Sequence, residues 1–221
     1  MSRCVSSDRM PVPLDRALSR MREVLDPDVM ANVLGRSLPE SARSPDVRVR
    51  YLRYKPETKL VVHYDVAVGA VRHSATATIA RRDLSRRTLR SKNVALADLV
   101  DGRSPVAQPL SYEPDLGALI QWLPLDLSLP ALAVPPATLH GRLRAAGVKL
   151  DDRGEGPPSV LNYKPGRQAV VRLGRHVLKY YVAPEPFAHA LTGLKMASAL
   201  RAIQAPAFEA SLSELLLTVQ G

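Results

Sequence analysis

The chain has 221 residues, of which 46% are hydrophobic and 24% are charged, so its composition is that of a globular protein and excludes wholesale disorder. No apolar run approaches the roughly 18 residues that a membrane helix needs, and the N-terminus has no signal-peptide core, so we expect a cytoplasmic protein without a membrane partner. A single cysteine, Cys4, excludes an internal disulfide, and five scattered histidines without ligand spacing predict no metal site.

Arginine carries most of the net charge of +10, because it supplies 24 of the 31 basic residues. Such an excess is typical of proteins that bind nucleic acid or another polyanion. Two Phe and one Trp offer little surface for base stacking, however, so a nucleic-acid partner is not expected. One local cluster has two interpretations, a solvated helix face or a surface for an anionic acceptor or partner. Its members are Arg81, Arg82, Arg86, Arg87 and Arg90.

Residues 1–46 are expected to form an N-terminal helical segment. Apolar residues at helical spacing predict a first helix over Leu14–Leu25. A second, shorter helix follows, with Asp26 as its N-cap and Pro27 at its first position.

Residues 47–123 form a first module, in which alternation of apolar and polar residues replaces the helical period. The pattern predicts three strands, a helix and a closing hairpin. These elements are a strand from Val47 to the turn at Lys55–Thr58, strands Lys59–Val66 and His73–Ala80, a helix over Asp83–Leu99, and hairpin strands Val106–Tyr112 and Leu116–Leu123.

Residues 124–156 are expected to be a linker with a helix near Ala137–Ala146, which Gly147 ends. Residues 157–221 then repeat the first module, since Tyr163-Lys164-Pro165 matches Tyr54-Lys55-Pro56 at an offset of 109. The later elements of the repeat are strand His176–Tyr181, helix Phe187–Ile203, and strands Ala207–Leu212 and Glu214–Gln220. The sequence therefore predicts an α+β fold with two tandem β-β-β-α-β-β modules, each a five-stranded antiparallel sheet plus a helix.

Three antiparallel strands, a helix and two more strands, with a lysine in the third strand, resemble the N-lobe of the protein-kinase-like fold. The run His176-Val177-Leu178-Lys179 is similar to the strand-three lysine motif of that superfamily. With Tyr163-Lys164-Pro165-Gly166-Arg167 ahead of it, the second module resembles the N-lobe of the aminoglycoside phosphotransferase-like family. The first module resembles the extra N-terminal segment of some bacterial members. The resemblance implies an ATP-dependent kinase of a small-molecule hydroxyl, with ATP and Mg as cofactors.

The resemblance also implies a nucleotide site in the second module. Lys179 is the candidate cation for the phosphates, and Val177, on the same strand face, would lie over the adenine. Gly166 and Arg167, at the turn between the first two strands, would cover the phosphates. Other interpretations stay open, because Lys179 could be a solvent-facing strand lysine and Gly166 an ordinary hairpin residue.

This sequence departs from the family's pattern at its carboxylates. The helix over Phe187–Ile203 contains no acid to pair with Lys179, and Glu185, expected ahead of that helix, is a poor substitute. No histidine–glycine–aspartate loop is found, so no catalytic or metal-ligating residue is assigned.

Two functions remain open from the sequence. In the first, the chain is the N-terminal portion of a phosphotransferase, inactive alone, which binds nucleotide and acceptor together with a missing C-lobe and can self-associate through the exposed lobe surface. In the second, it is a non-catalytic binding or regulatory protein built from duplicated N-lobe-like modules.

Overall fold

The computed structural model describes residues 15–100, 102–150, 158–200 and 207–221. The first sheet contains strands β1 (Asp46–Lys55), β2 (Lys59–Val68), β3 (Val71–Ala80), β4 (Leu110–Glu113) and β5 (Ala118–Trp122). The second contains β6 (Ser159–Lys164), β7 (Gln168–Leu173), β8 (His176–Tyr181), β9 (Phe208–Leu212) and β10 (Leu217–Gln220). The helices are α1 (Met21–Leu25), α2 (Pro27–Gly35), α3 (Ser91–Asp98), α4 (Pro136–Ala145) and α5 (Pro184–Ala199).

The two sheets have the same topology. Their strand orders are β1-β2-β3-β5-β4 and β6-β7-β8-β10-β9, and every pairing is antiparallel. The α+β fold with two five-stranded antiparallel sheets is thereby confirmed.

The strand registers also correspond, which identifies equivalent residues in the two modules. In the first sheet Val61 pairs with Thr78, and in the second Val170 pairs with Lys179. Val61 and Val170 are related by the sequence offset of 109. Thr78 is therefore the structural counterpart of Lys179.

The first sheet buries one face against α1 and α2. Met30 of α2, Tyr64 of β2 and Trp122 of β5 are completely buried in this core. The Tyr64 hydroxyl donates to the carbonyl of Val24, which ties α1 to the sheet. Asp26 accepts the N–H of Asp28 at 2.9 Å at the start of α2, so its predicted role as N-cap is confirmed.

The second sheet has helices on both faces. Leu139 and Leu143 of α4 pack with Leu178 and Leu217 in the core on one face. On the other face α5 packs against β8, where the rings of Tyr181 and Phe187 meet edge to face with centroids 5.9 Å apart.

Each sheet is preceded by a helix at the same distance along the chain. The helix α2 starts at Pro27 and α4 starts at Pro136, again an offset of 109. The predicted module boundaries at 47, 124 and 157 stay predictions, but the packing groups each helical segment with the sheet that follows it.

Two predicted helices of the first half are shorter and interrupted. In place of a helix over Leu14–Leu25, the described part has a 3-10 turn over Arg16–Leu18 and then α1. In place of a helix over Asp83–Leu99, a 3-10 turn over Ser85–Arg87 precedes α3. The interruption before α3 arises because polar side chains hydrogen-bond to backbone groups that would otherwise pair within a continuous helix. Asp83 accepts the N–H of Ser85, and Asn93 donates to the carbonyl of Arg87.

In the second half, α5 begins earlier than predicted. It starts at Pro184, a residue suited to the first position of a helix, so Glu185 lies within its first turn and not ahead of it. The predicted end at Ile203 lies outside the described residues. The strand β10 begins at Leu217 and not at Glu214, because Leu216 adopts a left-handed conformation with φ of 48°. No helix in the described ranges is long and apolar enough to cross a membrane.

Candidate functional site

Lys179 lies in the middle of the second sheet, on the face that α5 packs against. Its backbone pairs with Val170 of β7 and Thr218 of β10. Val177 shares this face two residues away, as strand geometry requires, and both side chains are half-buried. The Lys179 Nζ atom is 5.3 Å from the centroid of the Tyr181 ring, a cation–π contact.

Glu185 does not pair with Lys179. Its side chain is exposed at the start of α5. Within the described ranges, no ion pair joins Lys179 to any carboxylate. The loss of a lysine–glutamate pair therefore stays a prediction from the sequence.

The turn at Gly166 is held by a buried carboxylate from the segment before α4. Gly166 has φ of +61° and donates its N–H to Asp126 Oδ2 at 3.0 Å. The Tyr163 hydroxyl donates to the same oxygen at 2.8 Å. Asp126 is 2% exposed, and burial, followed by its negative charge, raises the pKa of Tyr163, so the phenol stays a donor. We call this three-residue arrangement the Asp–Tyr clamp.

The first module contains an equivalent clamp. Asp15 Oδ2 accepts the Tyr54 hydroxyl at 2.9 Å and the N–H of Glu57 at 2.8 Å. Glu57 occupies the position of Gly166 and also has positive φ, 54°. The hydrogen bond from Glu57 lowers the pKa of Asp15, and the bond to Asp15 raises the pKa of Tyr54.

Sequence reasoning missed both aspartates. A weak signal exists, since Asp15-Arg16-Ala17-Leu18 and Asp126-Leu127-Ser128-Leu129 precede their tyrosines by 39 and 37 residues. Asp-x-x-Leu is too common a pattern to be recognised without the register of the repeat.

The first-module face that corresponds to the Lys179 face is covered. Thr76, Thr78 and His63 are 1%, 5% and 8% exposed. The segment after β5 crosses this face, where Gln121 Oε1 accepts the N–H of Leu127 at 2.9 Å. The ring of His63 meets that of Tyr163 with centroids 5.0 Å apart, so the second module packs directly on the first.

A cavity of about 960 Å³ lies between the modules. Its first-module wall includes Arg50 and Arg72, which both pair with Asp65, at 3.7 and 2.9 Å. Arg103 closes another side by donating to the carbonyls of Leu99, Ala133 and Val134. Neither Lys179 nor Gly166 lines this cavity.

The resemblance implies ATP and magnesium as cofactors, and the residues of this face suit the nucleotide better than the metal. Lys179 and Val177 form a surface on which a nucleotide could rest, but the Gly166 N–H already has a carboxylate partner. The described part of the chain has no group of three His, Cys, Asp or Glu side chains able to hold a metal, so a magnesium ion at this face would depend on the nucleotide phosphates and water for most of its ligands.

The chain was compared with protein-family models, curated proteins and solved structures, and none of them matches it.

Proposed function

We propose that the second module is a nucleotide-binding lobe, similar to that of the aminoglycoside phosphotransferase-like kinases, which use ATP to phosphorylate a small-molecule hydroxyl. The observation that carries the proposal is the half-buried Lys179 on the sheet face beside α5. The ammonium pairs with nucleotide phosphates through charge-assisted hydrogen bonds. The half-buried Val170 and Val177 on the same face contact the base.

The clamp limits how the nucleotide is held. Because the Gly166 N–H is bonded to Asp126, phosphates do not bind at that N–H and depend on Lys179. Arg167 and Glu185 are both exposed, and their roles at the nucleotide stay predictions. No phosphoryl-transfer step is assigned to the described residues.

Isothermal titration of the 221-residue chain with ATP tests the proposal. The Lys179→Met substitution removes a phosphate partner and should weaken ATP binding about tenfold or more. Lys195→Met, which removes an exposed lysine from α5, is the matched control and should leave the affinity unchanged. Equal ATP affinity of the wild type and Lys179→Met would remove Lys179 from the site.

A second candidate is a non-catalytic binding or regulatory protein made of duplicated N-lobe-like modules. The observation in its favour is the pair of Asp–Tyr clamps, which give both hairpin turns a structural role. This candidate predicts no heat of binding with ATP in the wild type, which is the result that separates the two.

A further inference from the structure

Five cationic side chains gather where the first module meets the clamp of the second. They are Arg53, Lys59, Arg82, Arg87 and Arg90, of which Arg53, Lys59 and Arg87 are half-buried. The backbone brings them together. Lys59 pairs with Ala80 at the end of β3, and the next residue, Arg81, donates its N–H to Thr58.

The second module reaches this cluster at Gly166. Arg53 Nη2 lies 3.5 Å, and Ser128 Oγ 3.4 Å, from the point where a Cβ on Gly166 would stand. A guanidinium, a hydroxyl and a bare glycine backbone therefore meet at one place. A Cβ at Gly166 would be in ordinary contact with both side chains, and the φ of +61° is what favours glycine there.

The positive charges in the cluster are poorly compensated. Burial, and then the charges of Arg53, Arg87 and Arg82, lower the pKa of Lys59, while the charge of Asp126 acts in the opposite direction. The pKa of Arg87 is likewise lowered by burial and by Arg82 and Arg90, and its Nε atom is buried without a hydrogen-bond partner. None of the five cations belongs to an ion pair within the described ranges.

Asp126 cannot neutralise this charge. Its Oδ2 accepts from Tyr163 and Gly166, and its Oδ1 accepts from the N–H of Ser128 at 2.7 Å. A single carboxylate, which already accepts three hydrogen bonds, is thus the counter-charge for five cations. Crowding of like charges with partial burial costs free energy unless an anion joins them.

We propose that this cluster is a binding site for a small anion that carries phosphate groups, held between the first module and the Asp–Tyr clamp of the second. Arg53 and Arg87 supply guanidinium donors that match phosphate oxygens, and Lys59 supplies a further charge. The site is distinct from the proposed nucleotide face, because Asp126 and Tyr163 lie with the core on the side of the sheet opposite Lys179.

The half-burial of three cations at the junction favours a small ligand over a polymer. A polyanion such as nucleic acid is bound mainly by exposed charges along a surface. The same phosphate chemistry can come from an inorganic polyphosphate or from a phosphorylated metabolite, so tripolyphosphate and a sugar monophosphate are both used as probes.

The test measures binding of each probe by isothermal titration at constant ionic strength, with the full chain. We expect at least one probe to bind the wild type and Lys59→Gln to weaken it about tenfold or more. Arg86→Gln is the matched control, since Arg86 lies in the same turn but is exposed and acts on Asp83. It should bind the probe like the wild type.

A stability measurement separates ligand binding from a structural role. Removing one of several repelling cations should leave the melting temperature of unliganded Lys59→Gln equal to that of the wild type or higher, at low salt. The proposal is overturned if neither probe binds the wild type or if Lys59→Gln binds a probe as tightly as the wild type does. It is also overturned if Lys59→Gln melts at a lower temperature, which would make Lys59 a structural cation.

Discussion

The two modules share strand order, register and an Asp–Tyr clamp, yet they use equivalent faces differently. In the first module that face is polar and covered, with Thr78 only 5% exposed. In the second, Lys179 replaces Thr78 and is half-buried beside α5. The same fold therefore accommodates either a covered polar face or a half-buried lysine. Whether a charged side chain is compatible with this sheet face depends on the segment that packs against the face.

Exchanging the two equivalent residues tests this comparison most severely. Thr78→Lys puts an ammonium into a covered face and should cost on the order of 4 kcal/mol of unfolding free energy, because the buried charge has no partner. Lys179→Thr removes a half-buried charge and should change stability by less than about 1 kcal/mol. Urea denaturation measures both. Similar costs for the two exchanges would show that the faces do not differ.

The second largest difference in stability between the modules is expected from loss of the two Asp–Tyr clamps. Asp126→Ala leaves the buried Tyr163 hydroxyl and the Gly166 N–H without their acceptor, which should cost on the order of 3 kcal/mol. Asp15→Ala should cost less, because Tyr54 is half-buried, whereas Tyr163 is 5% exposed. Asp28→Ala, at an exposed position of α2, is the control in the same denaturation series. A larger loss from Asp15→Ala would contradict the burial argument.

Acid should destabilise the first module through His63. Burial lowers the pKa of His63 from 6.5 to about 4, so the folded chain keeps it neutral while the unfolded chain takes up a proton below pH 6.5. The unfolded state then binds more protons, and stability falls as the pH falls, by about 2 kcal/mol between pH 6.5 and 4.5. The equivalent position in the second module holds an arginine, Arg172, in place of the histidine.

His63→Gln should remove this pH dependence, measured by urea denaturation at several pH values. His189→Gln, at an exposed position of α5, should retain it. An unchanged slope in His63→Gln would assign the acid sensitivity to another group, such as His73, whose pKa burial also lowers.

The smallest expected effect concerns the left-handed turn residue, which is Glu57 in one module and Gly166 in the other. Gly166→Ala should cost about 1 kcal/mol, because its φ of +61° disfavours a Cβ; Ser128 Oγ, 3.4 Å from that Cβ, is in ordinary contact and adds no clash. Glu57→Gly should change stability by less than about 1 kcal/mol in the stabilising direction, since relief of the left-handed conformation exceeds the added chain entropy. Thermal melts of both variants decide the signs.

The sheets could be predicted from the sequence because each strand is indicated by the pattern of its own few residues. Two-residue alternation located the strands, and the repeated Tyr-Lys-Pro motif at Tyr54 and Tyr163 set the second copy. The N-cap at Asp26 and the glycine stop at Gly147 depend on one or two residues. The interruption before α3 was missed because the Asn93 side chain replaces a helical hydrogen bond, which no periodicity shows.

Less of the candidate site could be predicted from the sequence. Lys179 and Val177 were placed on one face by strand geometry alone. The clamp joins residues about 40 positions apart. The cationic cluster joins β1, β2 and the turn before α3 of the first module, and Gly166 of the second module approaches it. Such contacts follow from how the modules pack, so a single sequence does not specify them.

The spacing of the clamps has a consequence for the order of folding. The N–H contacts of the two clamps span 42 and 40 residues, and neither crosses into the other repeat. Loops of equal length carry equal closure entropy. During synthesis the first clamp can therefore close as soon as Glu57 has emerged, long before Asp126 is made. Until the chain after β5 has been made and covers this face, His63, Thr76 and Thr78 are exposed to water. Because these side chains are polar, their exposure in the partly folded chain costs little free energy.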